Sequence, residues 1–86
     1  MQAKPIPALL SALEVYPNPA SHFLTISAAT KMKGTIRVMN VLGEILADQP
    51  VNAYEVDIDV ATFPPRLYVV VLKSGEETVA GKFVKQ

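Results

Sequence analysis

His22 is the single histidine of the chain, and cysteine is absent. A zinc site draws several ligands from Cys, His and carboxylates, so His22 has no partners of the right kind. A Ser-His-Asp relay can be drawn with it, but no nucleophile-elbow motif is present. His22 sits beside an expected strand start and reads as a surface or edge residue. Glu55, Asp57 and Asp59 alternate along one strand face, an oxygen-rich surface of the kind Ca²⁺ takes. The wet face of a sheet gives the same alternation, and that reading is favoured. Tyr16, Phe23, Tyr54, Phe63, Tyr68 and Phe83 would suit stacking on a sugar. Most fall on expected inward positions and tryptophan is absent, so they are assigned to the core. Lys73, Lys82 and Lys85 gather near the C-terminus. Lysines protect exposed strand edges, and they also make a patch on which a partner docks. These residue types name no catalytic activity, no metal and no cofactor, and the chain reads as non-enzymatic.

The elements that position these residues follow from patterning. The run Leu67-Tyr68-Val69-Val70-Val71-Leu72 is rich in β-formers and stops at Ser74-Gly75. Its shortness and its apolar residues on both faces predict a central strand with both faces covered. The whole chain has 86 residues, half of them hydrophobic and 19% charged, which is a single globular domain. Eight Lys+Arg against eight Asp+Glu give zero net charge, which argues against a nucleic-acid partner. No stretch has the length of a membrane span. The start of the chain lacks the long apolar core of a secretory leader, so any export leader is expected in a longer precursor.

In chain order, residues 1–12 read as a linker, with Pro5 and Pro7 favouring extended backbone, and 13–86 as the domain. Strands are expected at 13–16, 23–27, 35–41, 44–48, 54–60, 67–73 and 77–85. Tyr16-Pro17-Asn18-Pro19-Ala20-Ser21 is a rigid turn. Lys31-Met32-Lys33-Gly34 is read as a turn, and so is Asn40-Val41-Leu42-Gly43-Glu44, with Gly43 at positive φ. In the clean alternation at 54–60, Tyr54, Val56, Ile58 and Val60 are expected to face in. About seven short strands with turns between them indicate an all-β, antiparallel sandwich, with a small open barrel as the alternative.

Several of these segments together resemble the C-terminal sorting domain of the type IX (Por) secretion system, type A. Tyr16-Pro17-Asn18-Pro19-Ala20-Ser21 followed by Phe23-Leu24-Thr25-Ile26 is similar to its opening signature. Asn40 and Gly43 fit its mid-domain pattern. Phe63-Pro64-Pro65-Arg66-Leu67-Tyr68 is similar to its later motif, although that family usually has Gly where Arg66 stands and a small residue where Pro65 stands. Ser74-Gly75 and Lys82-Phe83-Val84-Lys85 fit its end.

The resemblance implies an immunoglobulin-like sandwich that serves as a secretion address. The cargo lies N-terminal to it and crosses the periplasm. The type IX translocon and its shuttle components then carry it over the outer membrane, to the cell surface or the medium. A sortase-like cysteine peptidase removes the domain in many cargos and the cargo is attached at the surface. The resemblance also implies that the last two strands carry the signal, with Tyr68, Lys73, Gly75, Lys82, Phe83, Val84 and Lys85 as candidate recognition residues. Tyr16, Pro17, Asn18, Pro19 and Gly43 are then structural. Recognition through outer side chains of the last strand, or through strand addition to its open edge, is expected. Deleting 83–86 is expected to block export while the cargo still folds. An open edge also allows a homodimer in isolation. The rival readings are a carbohydrate-binding or adhesion sandwich of a surface enzyme, and a plain spacer.

Overall fold

The alternation that begins at Phe23 does not end at Lys31. The computed structural model describes residues 13–86, and the expected linker at 1–12 lies outside them. Strand β1 is Glu14–Tyr16. Strand β2, Phe23–Asn40, runs for 18 residues. β3 is Ile45–Asp59, β4 Leu67–Ser74 and β5 Glu77–Val84. A straight strand as long as β2 would extend roughly 60 Å, yet the longest dimension of the molecule is 43 Å. β2 therefore bends, and its pairing with β3 shifts register between Ser27 and Met32. Such a bulge turns a strand without ending it.

The bend gives β2 and β3 two arms each. The first arm of β2 pairs with β1 on one side and with Glu55 to Asp59 of β3 on the other. The second arm pairs with Ile45 to Ala53 of β3, and across its other edge with β4. β4 in turn pairs with β5, and every pairing is antiparallel. The strands expected at 23–27, 35–41, 44–48 and 54–60 are thus arms of two strands, and there are five strands rather than seven. The expected turn at Lys31 to Gly34 is strand. Met32 is buried there, and Gly34 has φ 138°. A Cβ on Gly34 would overlap the carbonyl oxygen of Lys73, so glycine lets β2 pass against the end of β4. Pro50 does not break β3, because β3 is an edge strand with no ladder partner on its outer side.

Leu24 and Ile26 of the first arm share one core with Ile36, Val38, Val51, Tyr68, Val70, Leu72 and Phe83 of the second. The arms are therefore the facing layers of a sandwich, and the all-β antiparallel class expected from the sequence is observed. β4 does lie inside its sheet, between β2 and β5. Its two faces differ, however. Tyr68, Val70 and Leu72 are buried, Val69 and Val71 are half-buried, and Leu67 is exposed. The expectation that both faces are covered is corrected: a two-layer domain leaves the outer face of β4 open.

Candidate functional site

The β4–β5 hairpin is closed by Gly75, with φ 63°, in a two-residue turn between Ser74 and Glu77. Glycine at the first central position is what a type II′ turn requires. The register then fixes which side chains share a face. Leu67 lies opposite Val84, Val69 opposite Lys82, Val71 opposite Ala80 and Lys73 opposite Thr78. These pairs point outward. Tyr68 opposite Phe83 and Leu72 opposite Val79 point inward.

The candidate recognition residues divide accordingly. Lys73, Lys82 and Val84 are exposed on the outer face, and Gly75 is exposed at the turn. Tyr68, Phe83 and Lys85 are buried. The expected cluster of three lysines is not formed. Lys73 and Lys82 are set apart by four residues of strand, ~13 Å. Lys85 turns inward, and its ammonium donates to the carbonyl oxygens of Phe63 at 3.0 Å and Ala61 at 3.5 Å.

The buried members hold the Pro-rich segment before β4. Tyr68 packs between Phe63 and Phe83, with both ring-centroid distances 5.4 Å. Its hydroxyl donates to the Pro64 carbonyl at 2.5 Å. The Lys85 amide donates to the Arg66 carbonyl at 2.9 Å. Arg66 stands where the related motif has Gly, but among the described residues no non-glycine has positive φ, so the backbone here asks nothing of Arg66 that only glycine supplies.

The opening signature clasps the final strand. Asn18 Oδ1 accepts from the Val84 amide at 2.9 Å. The Ala20 amide donates to Val84 O at 2.9 Å, and the Gln86 amide donates to Ala20 O at 2.8 Å. The peptide bonds before Pro17 and Pro19 are cis. The last edge is therefore paired at its C-terminal end by residues 18–20, while the rest of β5 has no ladder partner on its outer side. Gly81 of β5 is further covered by Val15, whose Cγ2 lies 3.0 Å from where a Cβ would stand.

Asn40 explains the mid-domain pattern. It is 6% exposed. Its Oδ1 accepts from the amides of Leu42 and Glu44 at 2.9 and 3.0 Å, and its Nδ2 donates to Glu44 Oε1 at 2.6 Å. Gly43 takes φ 89°, the positive value expected. Sequence reading identified the turn but missed the capping roles of Asn18 and Asn40; Asn beside Pro, or Asn followed by two residues and then Gly, is the signal that marks both.

The other faces are simpler. His22 is exposed, 3.3 Å from Ser21 Oγ through Nδ1. Among the described residues no three His, Asp or Glu side chains gather to hold a metal ion. Glu55, Asp57 and Asp59 point outward as expected. Tyr16 donates to Glu55 Oε2 at 2.9 Å and Thr25 to Asp57 Oδ1 at 2.7 Å. The hydrogen bond to the Glu55 carboxylate raises the Tyr16 pKa above 10.0. Three aromatics assigned to the core are instead exposed: Tyr16 at 42%, Phe23 at 58% and Tyr54 at 60%. Tyr54 falls in the register shift and has no cross-strand partner, while Phe23 shares the outward face with Asp59. A cleft of about 140 Å³ lies near Met32, Leu72 and Val79, below the several hundred Å³ that a small-molecule site occupies.

A family model described as a secretion system C-terminal sorting domain matches residues 14–86. The chain belongs to that family. The sorting domain is thereby a C-terminal type IX secretion signal: it implies a cargo N-terminal to it, interaction with the type IX machinery, and export to the cell surface or the medium. Among solved structures it is similar to a DUF3244 family protein with an immunoglobulin-like β-sandwich fold from Bacteroides vulgatus. The TM-score is 0.69 at 19% identity, covering 86% of this chain and 83% of that one. That likeness gives the sorting domain its fold description, an immunoglobulin-like sandwich. No curated protein sequence matches it.

Proposed function

We propose that the type IX translocon and its shuttle components read this domain on the outer face of the β4–β5 hairpin. Lys73, Lys82, Val84 and the Gly75 turn make the contacts. Tyr68, Phe83 and Lys85 act from inside by holding that face in register. The domain passes through the periplasm with its cargo. A sortase-like cysteine peptidase then removes it, and the cargo is attached at the cell surface. The observation that carries this reading is the family match over 14–86, joined to the outward placement of the exposed members.

The test is a periplasmically targeted reporter with this chain at its C-terminus, in a host with a type IX system and in a translocon-deficient sister. Surface or medium reporter in the first host alone is expected. Lys73→Gln with Lys82→Gln should lower it about tenfold, the effect of losing well-placed contacts, with the melting temperature unchanged. Export at the parental level by this variant would remove the outer face from recognition. Deleting 83–86 is a poorer test than the sequence alone suggests. It strips Phe83 and Lys85 from the core, so lost export would report an unfolded domain.

One observation favours a second reading. Tyr16 and Phe23 are exposed beside Glu55, Asp57 and Asp59 on one outer face, a surface on which a sugar could stack. Glycan-array binding that is lost in Phe23→Ala would support a carbohydrate-binding module.

A further inference from the structure

The zero net charge conceals a separation. Glu14, Glu55, Asp57 and Asp59 all point outward from the layer of β1, the first arm of β2 and the second arm of β3, since their neighbours Val15, Val56 and Ile58 pair with the inward Ile26 and Leu24. Lys33, Arg37, Lys73 and Lys82 point outward from the opposite layer, by the same alternation against Met32, Ile36, Leu72 and Phe83. Asp48 is the acid on that side, and it is taken by Arg37 at 3.0 Å. Among the described residues this is the single ion pair. The lysines of one face and the carboxylates of the other are thus uncompensated within the molecule.

Each face also carries exposed apolar side chains among its charges. Phe23 stands on the acidic side, and Ile45, Leu67 and Val84 on the basic side. Copies do not repel one another overall, because the net charge is zero. Edge pairing is the usual route by which sheets associate, and here it is interrupted at two places. Pro50 interrupts the outer edge of β3, and residues 18–20 occupy the end of β5.

We infer that the domain associates head to tail with copies of itself, the acidic outer face of one docking on the basic outer face of the next. The two surfaces are different, so the contact is heterologous and repeats into rows rather than closing as a symmetric pair. The contact rests on charge, so it weakens as the Debye length shrinks from ~10 Å at about 0.1 M salt to ~3 Å at about 1 M. This association is independent of the export role: it is read on the isolated chain and stands or falls without a translocon.

Sedimentation equilibrium of the full chain tests it. At low salt the mass should climb above 9.3 kDa with concentration, and in about 1 M salt it should return to the monomer. Lys73→Gln with Lys82→Gln takes two of the four cations from the basic face, and Glu55→Gln with Asp57→Asn takes two of the four carboxylates from the acidic one. Each double variant alone should stay monomeric. Mixed in equal amounts they should form a dimer and stop there, because one native pair of faces remains. Glu76→Gln with Glu77→Gln shifts the net charge as much as the second variant but leaves both faces intact, so it should associate like the parent. A parent that is monomeric at low salt overturns the inference. So does a mixture that stays monomeric, or association that persists in either face variant alone.

Discussion

Asn40 carries more of this fold than its position in a polar turn suggests. One buried amide satisfies two backbone N–H groups and a carboxylate. Asn40→Ala removes the acceptor of both amides, and a loss of about 1 kcal/mol is expected in urea unfolding. Asn40→Asp keeps the acceptor but sets a second carboxylate against Glu44 Oε1, so it should also lose stability. Tyr16 makes a titration prediction of the opposite sense to a carboxylate whose pKa falls on folding. Its folded pKa is raised above 10.0 by donation to Glu55. The stabilisation is therefore fully present below pH 10.0 and is lost as pH rises through the folded pKa. Phenolate absorbance should show the Tyr16 ionisation displaced upward, and Glu55→Gln should bring it back toward the ordinary value. At this scale the motif residues were legible, and for the aromatics so was much of their direction. The core placement of Tyr68 and Phe83 was legible from their aromatic type, whereas the inward direction of Lys85 was not. A lysine at the end of a strand reads as solvated, and no pattern in the chain announces that its amine reaches the carbonyls of residues 61 and 63.

Local patterning located most strand residues but not 28–34 or 49–53, because β-branched alternation depends on neighbours within a few positions. It failed on whether a polar interval ends a strand or bends it. Lys31 to Gly34 has turn composition, but Met32 finds the core and Gly34 finds the backbone of Lys73. Both partners are distant in sequence, and no local rule could supply them. Gly34 is thus the residue that allows β2 to serve both layers. Gly34→Ala adds a Cβ onto a carbonyl and fixes an L side chain at φ 138°. A loss of about 2 kcal/mol or more is expected, read as a fall in the urea midpoint. Glycine-like stability in that variant would mean that the two layers are not joined through this crossing. The open outer face of β4 has the same origin. A run apolar on both sides predicts two covering layers, and the chain builds one, leaving Leu67, Val69 and Val71 toward solvent.

Charge separation is a property of the whole molecule, and composition hides it entirely. Distance decides its effect on stability. Successive outward carboxylates of β3 are about 7 Å apart, whereas the opposing faces are divided by two sheets packed about 10 Å apart with side chains beyond them. Repulsion within a face therefore outweighs attraction across the molecule, and the ion pair of Arg37 and Asp48, being exposed, offsets little of it. Added salt should raise the melting temperature of the dilute monomer, contrary to what a chain of zero net charge suggests. Like charges about 7 Å apart in water repel by about 0.5 kcal/mol before screening, which corresponds to about 2–4 °C for a domain of this size. Asp57→Asn isolates the cause. Asn still accepts from Thr25, while the middle charge between Glu55 and Asp59 is gone. The variant should melt about 2–4 °C higher than the parent at low salt, and the gap should close at high salt. A parent that instead loses stability on adding salt would show that attraction between the faces governs the monomer, and that the acidic layer gains from the basic layer behind it.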